Sequence, residues 1–473
     1  MLPNILAERY ASPALRSLWS PAERVRTERR LWVSVLRAQA ALGLEVSPGA
    51  VEAYERALDE VDLASIRARE EQTRHDVKAR LEEFCALAGY EEIHRGMTSR
   101  DATETVEQLL LLRSLRLLLA KAAAALHRCA ERAGDYAETV LSARTHNVPA
   151  QPTTFGRRLA TYGEEMLLAA GRLEAIVRDY PARGLKGAVG TQLDLLTLFE
   201  GDEDPVVELE RRVTAELGFA HGLRAPAQIY PRSLDHAVVS ALVDLAAGPA
   251  NLARTLRLMA GHDTAGEGFA PGQTGSTAMP HKQNPRSCER IQGFLVLLRG
   301  YASMTAGLAG EQWHEGDVAC SVVRRVALPD ALFAADGLLE TLLSVLGTLE
   351  VFPAAVDAEN RRLFPFLAST TLLMEAVRAG AGREEAHAAV KEHMTAAHHL
   401  QRSGEDPRDA LVTAVAADAR LPLDRPAVEA ILDGTGRRTG RAGAQVAEFR
   451  GAVEDFLARQ DPAWREIEPG RIL

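Results

Sequence analysis

The chain has 473 residues, of which 47% are hydrophobic, 25% charged and 5% aromatic, a composition that excludes a disordered or fibrous protein and allows about three structural units. Lysine plus arginine number 55 against 65 aspartate plus glutamate, a formal net charge of -10 that argues against a nucleic-acid binder, whose phosphate contacts need a basic face. Room for a local basic pocket holding one small anion remains.

The first residues, MLPNILAERYAS, place Glu8 and Arg9 ahead of any apolar run long enough for an export signal, so a cytoplasmic protein is expected. A charged helical region runs to the segment Gly89 to Gly96. From Met97 to Ala133 there is neither Gly nor Pro, and the abundance of Leu, Ala, Arg and Glu predicts one helix of roughly 55 Å. Its most apolar stretch, Leu109 to Leu126, is interrupted by Arg113, Arg116 and Lys121, which excludes a membrane span and predicts burial on several sides within a bundle. Further helix-compatible runs are Phe155 to Asp179, Ser233 to Met259, Ser287 to Ala309 and Pro329 to Leu349, while period-two alternation is nearly absent. The expected fold class is all-α, in three parts: an N-terminal helical domain over 1–97, a central long-helix bundle over 98–351 and a C-terminal helical domain over 352–473, with Val351-Phe352-Pro353 as the second hinge. Cys85, Cys129, Cys288 and Cys320 lie far apart without a CxxC pair, which fits neither a disulfide framework nor a zinc site.

Two segments interrupt the helices: Pro181 to Gln192, and a loop at 261–285 that reads GHDTAGEGFAPGQTGSTAMPHKQNP with eight Gly or Pro in 25 residues. Long Gly-rich loops inside helical proteins are uncommon unless they bind something or close over a site. This one sets Ser276 six residues before Lys282 and eight before Asn284, so hydroxyl, cation and amide are close together, a set suited to a carboxylate-bearing substrate. The competing reading is a surface linker with a solvated lysine. Three histidines, His75 between Arg74 and Asp76, His94 ahead of Thr98-Ser99, and His146 after Arg144-Thr145, lie at predicted helix ends beside hydroxyls and arginines, which suits acid-base work, although single histidines are more often structural. The run GTGRRTGRAG from Gly434 to Gly443 lacks both the GK[ST] ending and the preceding strand of a phosphate loop, and is read as the loop before the last helix. His398-His399 is read as a surface feature.

The segment GSTAMPHKQNP resembles the signature loop of the fumarase/aspartase superfamily. RYAS at Arg9, TRHDV at Thr73, IHRGMTS at Ile93, RTHNVPAQPTT at Arg144, LKGAVGTQ at Leu185, LFEGD at Leu198 and SCER at Ser287 resemble, in order, blocks of its adenylosuccinate lyase branch. The resemblance implies three helical domains, a homotetramer whose active sites draw on three subunits, and neither cofactor nor metal. It implies β-elimination of fumarate from an N-succinyl purine nucleotide, adenylosuccinate or the aminoimidazole carboxamide SAICAR. Residue by residue, it implies Ser276 as general base, His146 as general acid, and Lys282 and Asn284 as the stabilisers of the carbanion. It places Thr98, Ser99, Thr145 and Gln192 at the succinyl part, and Arg9, Tyr10, Arg74, His75, Asp76, Arg290, Ser321 and Arg325 on the nucleotide side, with His94 a further candidate. Four positions depart from the family pattern: Thr277 for Ser, Gln283 for Arg, Val148 for Gln, and Gly316 for the Arg of W-x-E-R. Losing a charged hydrogen bond to phosphate at 316 would weaken binding by about 1.5 to 3 kcal/mol. Either another group such as His314 compensates, or the enzyme is a paralogue that releases fumarate from a different N-succinyl amine.

Overall fold

A computed structural model describes residues 4–269 and 272–470, so that residues 270 and 271 of the 261–285 loop lie outside the described residues. The chain is helical almost throughout. Helix α1, Pro21–Ala41, starts where the Ser20 side chain accepts the Glu23 N–H and Pro21 occupies the first turn. After α2, Asp76–Ala88, comes α3, Ser99–Asp135, which spans 37 residues. Leu109, Leu111, Leu115 and Leu118 fill its surroundings, and the run Ala122 to Ala125 lets neighbouring helices approach closely. Helices α4 (Phe155–Asp179) and α7 (Ala319–Thr348) pack against it, and α5 (Ser233–Gly261) and α6 (Arg286–Ala306) complete the central bundle, α5 on α4 and α6, and α6 on α7.

Helix α7 begins ten residues before the expected start at Pro329, which sits inside it. Proline costs a helix one N–H, and burial of both flanks of α7 outweighs that loss. By length and hydropathy alone α5 and α7 could each cross a membrane, but 61% and 83% of their apolar windows are buried in the bundle. Lys121 of α3 is buried as well, held by Asp336 and by Glu340 of α7 at 2.6 Å. The Ser12 N–H donates to the same Asp336 at 2.6 Å, and the Gly470 N–H to Glu340 at 2.6 Å.

Two short antiparallel pairings go beyond the all-α expectation, a hairpin and the pairing of Ala265-Gly266 with Glu350-Val351. Strands β1, Val140–Thr145, and β2, Val148–Thr154, pair antiparallel with Thr145 opposite Val148, so that His146 and Asn147 alone make the turn. Both have positive φ, 51° and 62°, as a type I′ hairpin requires. Pro149 and Pro152 concealed the second strand, but a two-stranded ribbon has only edges, where proline is tolerated.

Helices α8 (Pro353–Leu367), α9 (Ser369–Arg378) and α10 (Arg383–Arg402) follow. A separate hydrophobic core there joins Leu372, Val390, Leu411, Val415 and Ile431, and an N-terminal one joins Trp32, Tyr54 and Phe84 to Val106 and Leu110 of α3. The last long helix, α11 (Ala442–Leu457), returns to the central bundle through Val446, Phe449 and Val453. Cys129, Cys288 and Cys320 are buried and Cys85 partly so, all as free thiols, with burial pushing Cys129 up to about 12.

Candidate active site

The predicted residues fall into several places. At the first, the N-termini of α2 and α3 and the start of α7 enclose a cavity of about 380 Å³ lined by His75, Asp76, Ser99, Ser321 and Arg325. His75 is the N-cap of α2, its Nδ1 accepting the Lys78 N–H at 3.2 Å, which assigns the ring proton to Nε2 and turns a donor outward. Arg74 closes the preceding helix in the left-handed region at φ 53°. Burial raises the Asp76 carboxyl, but the Arg80 guanidinium at 3.2 Å, together with the Val77 N–H, holds it below the usual carboxylate range.

Beneath this cavity lies a buried network of three arginines and three carboxylates. Glu104 meets Arg100 at 3.0 Å and Arg232 at 2.8 Å, while Arg324 meets Asp235 at 2.7 Å and Glu107 at 2.9 Å. Tyr230 donates to Asp235 at 2.6 Å. Those charges balance among themselves, and Arg325 stands exposed on the same cavity without an ion pair among the described residues. Ser321 accepts from Arg100 at 3.5 Å.

Thr98 and Ser99 are fixed by a residue that the sequence reading did not single out. The fully buried Asp101 carboxylate accepts the Thr98 N–H at 2.8 Å, Arg183 Nη1 at 2.5 Å, the Lys186 N–H at 2.8 Å and the Gly187 N–H at 3.1 Å. It therefore binds the Pro181 to Gln192 segment to the start of α3. An acidic residue three places after Thr98 was the available signal. Gln192 itself, expected at the succinyl part, donates its amide to Leu185 O and to Glu210, each at 2.9 Å, so its NH₂ holds the segment together.

Arg9 is exposed on the N-terminal arm, and the Arg290 guanidinium lies 5.6 Å from the Tyr10 ring, which packs edge-on against Phe294. Thr145 ends β1 and His146 opens the hairpin turn, both exposed. Helix α8 pins that hairpin: Glu359 pairs with Arg144, and Asn360 contacts Ser142 Oγ at 3.1 Å and the Val140 carbonyl at 2.9 Å. His94 is a packed histidine, its Nδ1 accepting from Trp32 Nε1 at 3.1 Å and its pKa lowered by burial.

The loop folds back on itself. A side chain at Gly275 would overlap the Lys282 carbonyl, so glycine permits the crossing that brings Ser276 toward Lys282 and Asn284. Ser276 Oγ accepts the Met279 N–H at 3.1 Å, the Lys282 N–H donates to Met279 O at 3.0 Å, and Asn284 donates to Gly275 O at 3.0 Å. Glu267, buried and also unforeseen, caps α6 through the N–H groups of Ser287 and Cys288 at 3.0 and 2.9 Å, fixing the loop's far end. Lys282 and Asn284 line a cavity of about 1040 Å³ that contains neither His75 nor His146, and the His75 cavity contains no residue of the loop.

Gly316 has φ 139°, and a Cβ there would lie 3.1 Å from Ile229. The missing arginine is thus tied to a backbone conformation that side chains rarely adopt.

A family profile described as "Lyase" matches residues 9–300, and one described as "Adenylosuccinate lyase C-terminus" matches 365–449. The chain is 32% identical over 453 residues to adenylosuccinate lyase of Saccharomyces cerevisiae, covering 94% of this chain and 93% of that protein. It is 32% identical over 391 residues to adenylosuccinate lyase of Bacillus subtilis, covering 82% and 87%. In fold it is similar to a 3-carboxy-cis,cis-muconate lactonizing enzyme from Pseudomonas putida, with a TM-score of 0.82 at 20% identity over 96% of this chain and 100% of that one. A fumarate lyase from Mesorhizobium sp. BNC1 is similar at a TM-score of 0.79 and 22% identity, over 94% and 99%.

Proposed function

The chain belongs to the adenylosuccinate lyase family of the fumarase/aspartase superfamily, and on that footing we propose that it releases fumarate from an N-succinyl purine nucleotide by β-elimination. The observation that carries the residue assignment is the folded-back loop, which lays the Gly275-Ser276 backbone against Lys282 and Asn284. Ser276 takes the proton from the succinyl carbon next to the departing C–N bond. The electron pair left behind spreads into the adjoining carboxylate as an aci-carboxylate, which Lys282 and Asn284 stabilise. As the C–N bond breaks, His146 gives a proton to the leaving nitrogen, and the pair on carbon becomes the double bond of fumarate. A serine hydroxyl is a poor base in water, so the loop must close and hold the alkoxide against Lys282 in a dry site. No cofactor or metal is called for in these steps.

Thr98, Ser99 and Thr145 bind the succinyl carboxylates in this reading. Arg325, His75, Asp76, Ser321, Arg74, Arg9, Tyr10 and Arg290 face the nucleotide, with arginine suited to its phosphate. The cavity of Lys282 and Asn284 holds neither His146 nor His75, which supports a homotetramer with active sites shared among subunits. The exposed apolar side chains Leu258, Val296, Leu297, Met304 and Val322 along α5, α6 and α7 fit the faces that subunits would bury. We place the enzyme in the cytoplasm.

Gly316 and Val148 favour keeping a second reading, a paralogue acting on a different N-succinyl amine. Fumarate release from adenylosuccinate and SAICAR, measured beside a set of other succinylated amines, separates the two. Rapid turnover of both nucleotides supports the first; turnover confined to another amine rejects it.

A further inference from the structure

The hairpin that carries His146 has a second neighbour. Between its turn and helices α8 to α10 lies a cavity of about 640 Å³, walled on one side by Arg144, Val148 and Pro149. Within a protein of net charge -10, no aspartate or glutamate lines it. Its cations include Arg362, Lys391 and Arg402, none of which makes an ion pair among the described residues, whereas Arg100, Arg232 and Arg324 beneath the His75 cavity are all paired. Three histidines, His387, His398 and His399, join them.

The charges are arranged by helix periodicity. His387, Lys391, His398 and Arg402 recur on one face of α10 at spacings of four, seven and four. Lys391 and Arg402 are eleven residues apart, roughly 16 Å along the axis. A single small anion would leave one end of that row unanswered. Between the cations the wall is apolar: Phe366, Leu373 and Met394 line the same cavity, and the His398 ring packs 5.2 Å from Phe366. Such a surface fits a flat ring carrying a chain of phosphates, the ring on the apolar wall and the charge spread along α10.

We propose that this cavity is a nucleoside-polyphosphate site, outside the groups assigned to the elimination, with Lys391, Arg402 and Arg362 on the phosphates and Phe366, Leu373 and Met394 against the base. Arg144 and Val148 each lie two residues from His146, so an occupant touches the strands that present it. The inference stands on the cavity alone and does not depend on which amine the enzyme releases.

The test is calorimetric titration of the whole protein with ATP, inorganic tripolyphosphate and adenosine in turn. The variant Lys391→Gln/Arg402→Gln, which removes two exposed cations, is expected to bind ATP at least tenfold more weakly at this site. Its fumarate-release kcat and KM, without added ATP, are expected to match wild type. Lys391→Arg/Arg402→Lys should restore binding, which separates the role of charge from a change in fold. Adenosine and tripolyphosphate should each bind at least tenfold more weakly than ATP, since each lacks half of the contacts. Equal ATP affinity in wild type and the Gln variant would overturn the site. Tripolyphosphate binding as tightly as ATP would overturn the nucleoside and leave a phosphate-only site.

Discussion

Replacing Asp101 with alanine tests whether one buried carboxylate organises the proposed succinyl end of the site. The change orphans three backbone N–H groups, those of Thr98, Lys186 and Gly187, and removes the partner of a buried arginine. Breaking a buried ion pair from one side costs about 3–5 kcal/mol. Arg183 retains carbonyl acceptors at Gly187 (2.9 Å), Gly184 (3.3 Å) and Ala227 (3.3 Å), which soften the loss of its partner. Each orphaned N–H adds about 1 kcal/mol or more. The two corrections oppose one another, so the expected loss stays at about 3–5 kcal/mol. Urea unfolding of wild type, Asp101→Ala, Arg183→Ala and the double variant measures it, with a coupling between the two sites of at least about 1 kcal/mol. In the folded variant, well below its unfolding midpoint, KM should rise, because Thr98 and Ser99 are no longer held. A stability loss below about 1 kcal/mol, or a coupling near zero, would refute the reasoning.

Other outcomes follow from the same geometry. Ser276→Ala and His146→Ala should each lower kcat by orders of magnitude with the oligomer intact by light scattering, and near-normal turnover in either would remove that residue from its role. Gly316→Arg, which sequence alone suggests should restore a phosphate contact and lower KM, is instead expected to destabilise the fold and leave KM unimproved. The reason is the φ of 139° together with the 3.1 Å approach to Ile229; a stable variant with lower KM would show that the backbone adjusts freely. The Asp76 carboxyl is held low in the folded state, so its pairing with Arg80 contributes stability that is present at neutral pH and is lost as pH falls through the folded pKa. Asp76→Asn should therefore flatten the acid limb of a stability-pH curve, and an unchanged limb would count against the pair.

What the sequence revealed depended on distance along the chain. The helix Phe155–Asp179 was read with both ends correct, since Thr154 caps it and Tyr180 leads into proline. Pro329 misplaced the start of α7, where tertiary burial overrides a local breaker. The β1–β2 hairpin went unread because two prolines mask a short ribbon whose register rests on positive φ at His146 and Asn147. Ser276, Lys282 and Asn284 were legible as a group because they sit within nine residues and fold back locally. His75 was legible beside Arg74 and Asp76, but its grouping with Arg325 came only through resemblance, as nothing local joins positions 250 residues apart. Neither Asp101 nor Glu267 was foreseen: Asp101 had a local signal in its place three residues after Thr98, but among 65 acidic residues only burial and the N–H groups it faces set Glu267 apart.

The meeting of both chain ends on one buried lysine bears on how the protein is made. Lys121 emerges from the ribosome early, but its carboxylate partners Asp336 and Glu340 follow more than two hundred residues later, and the amide that caps Glu340 is that of Gly470. Phe449 of α11 likewise reaches Gly163 on α4 only near the end of synthesis. During translation the first long helices therefore wait with an unneutralised charge and an open apolar seam. The seam closes only once α11 has been released, so a premature stop before α11 removes a wall of the core.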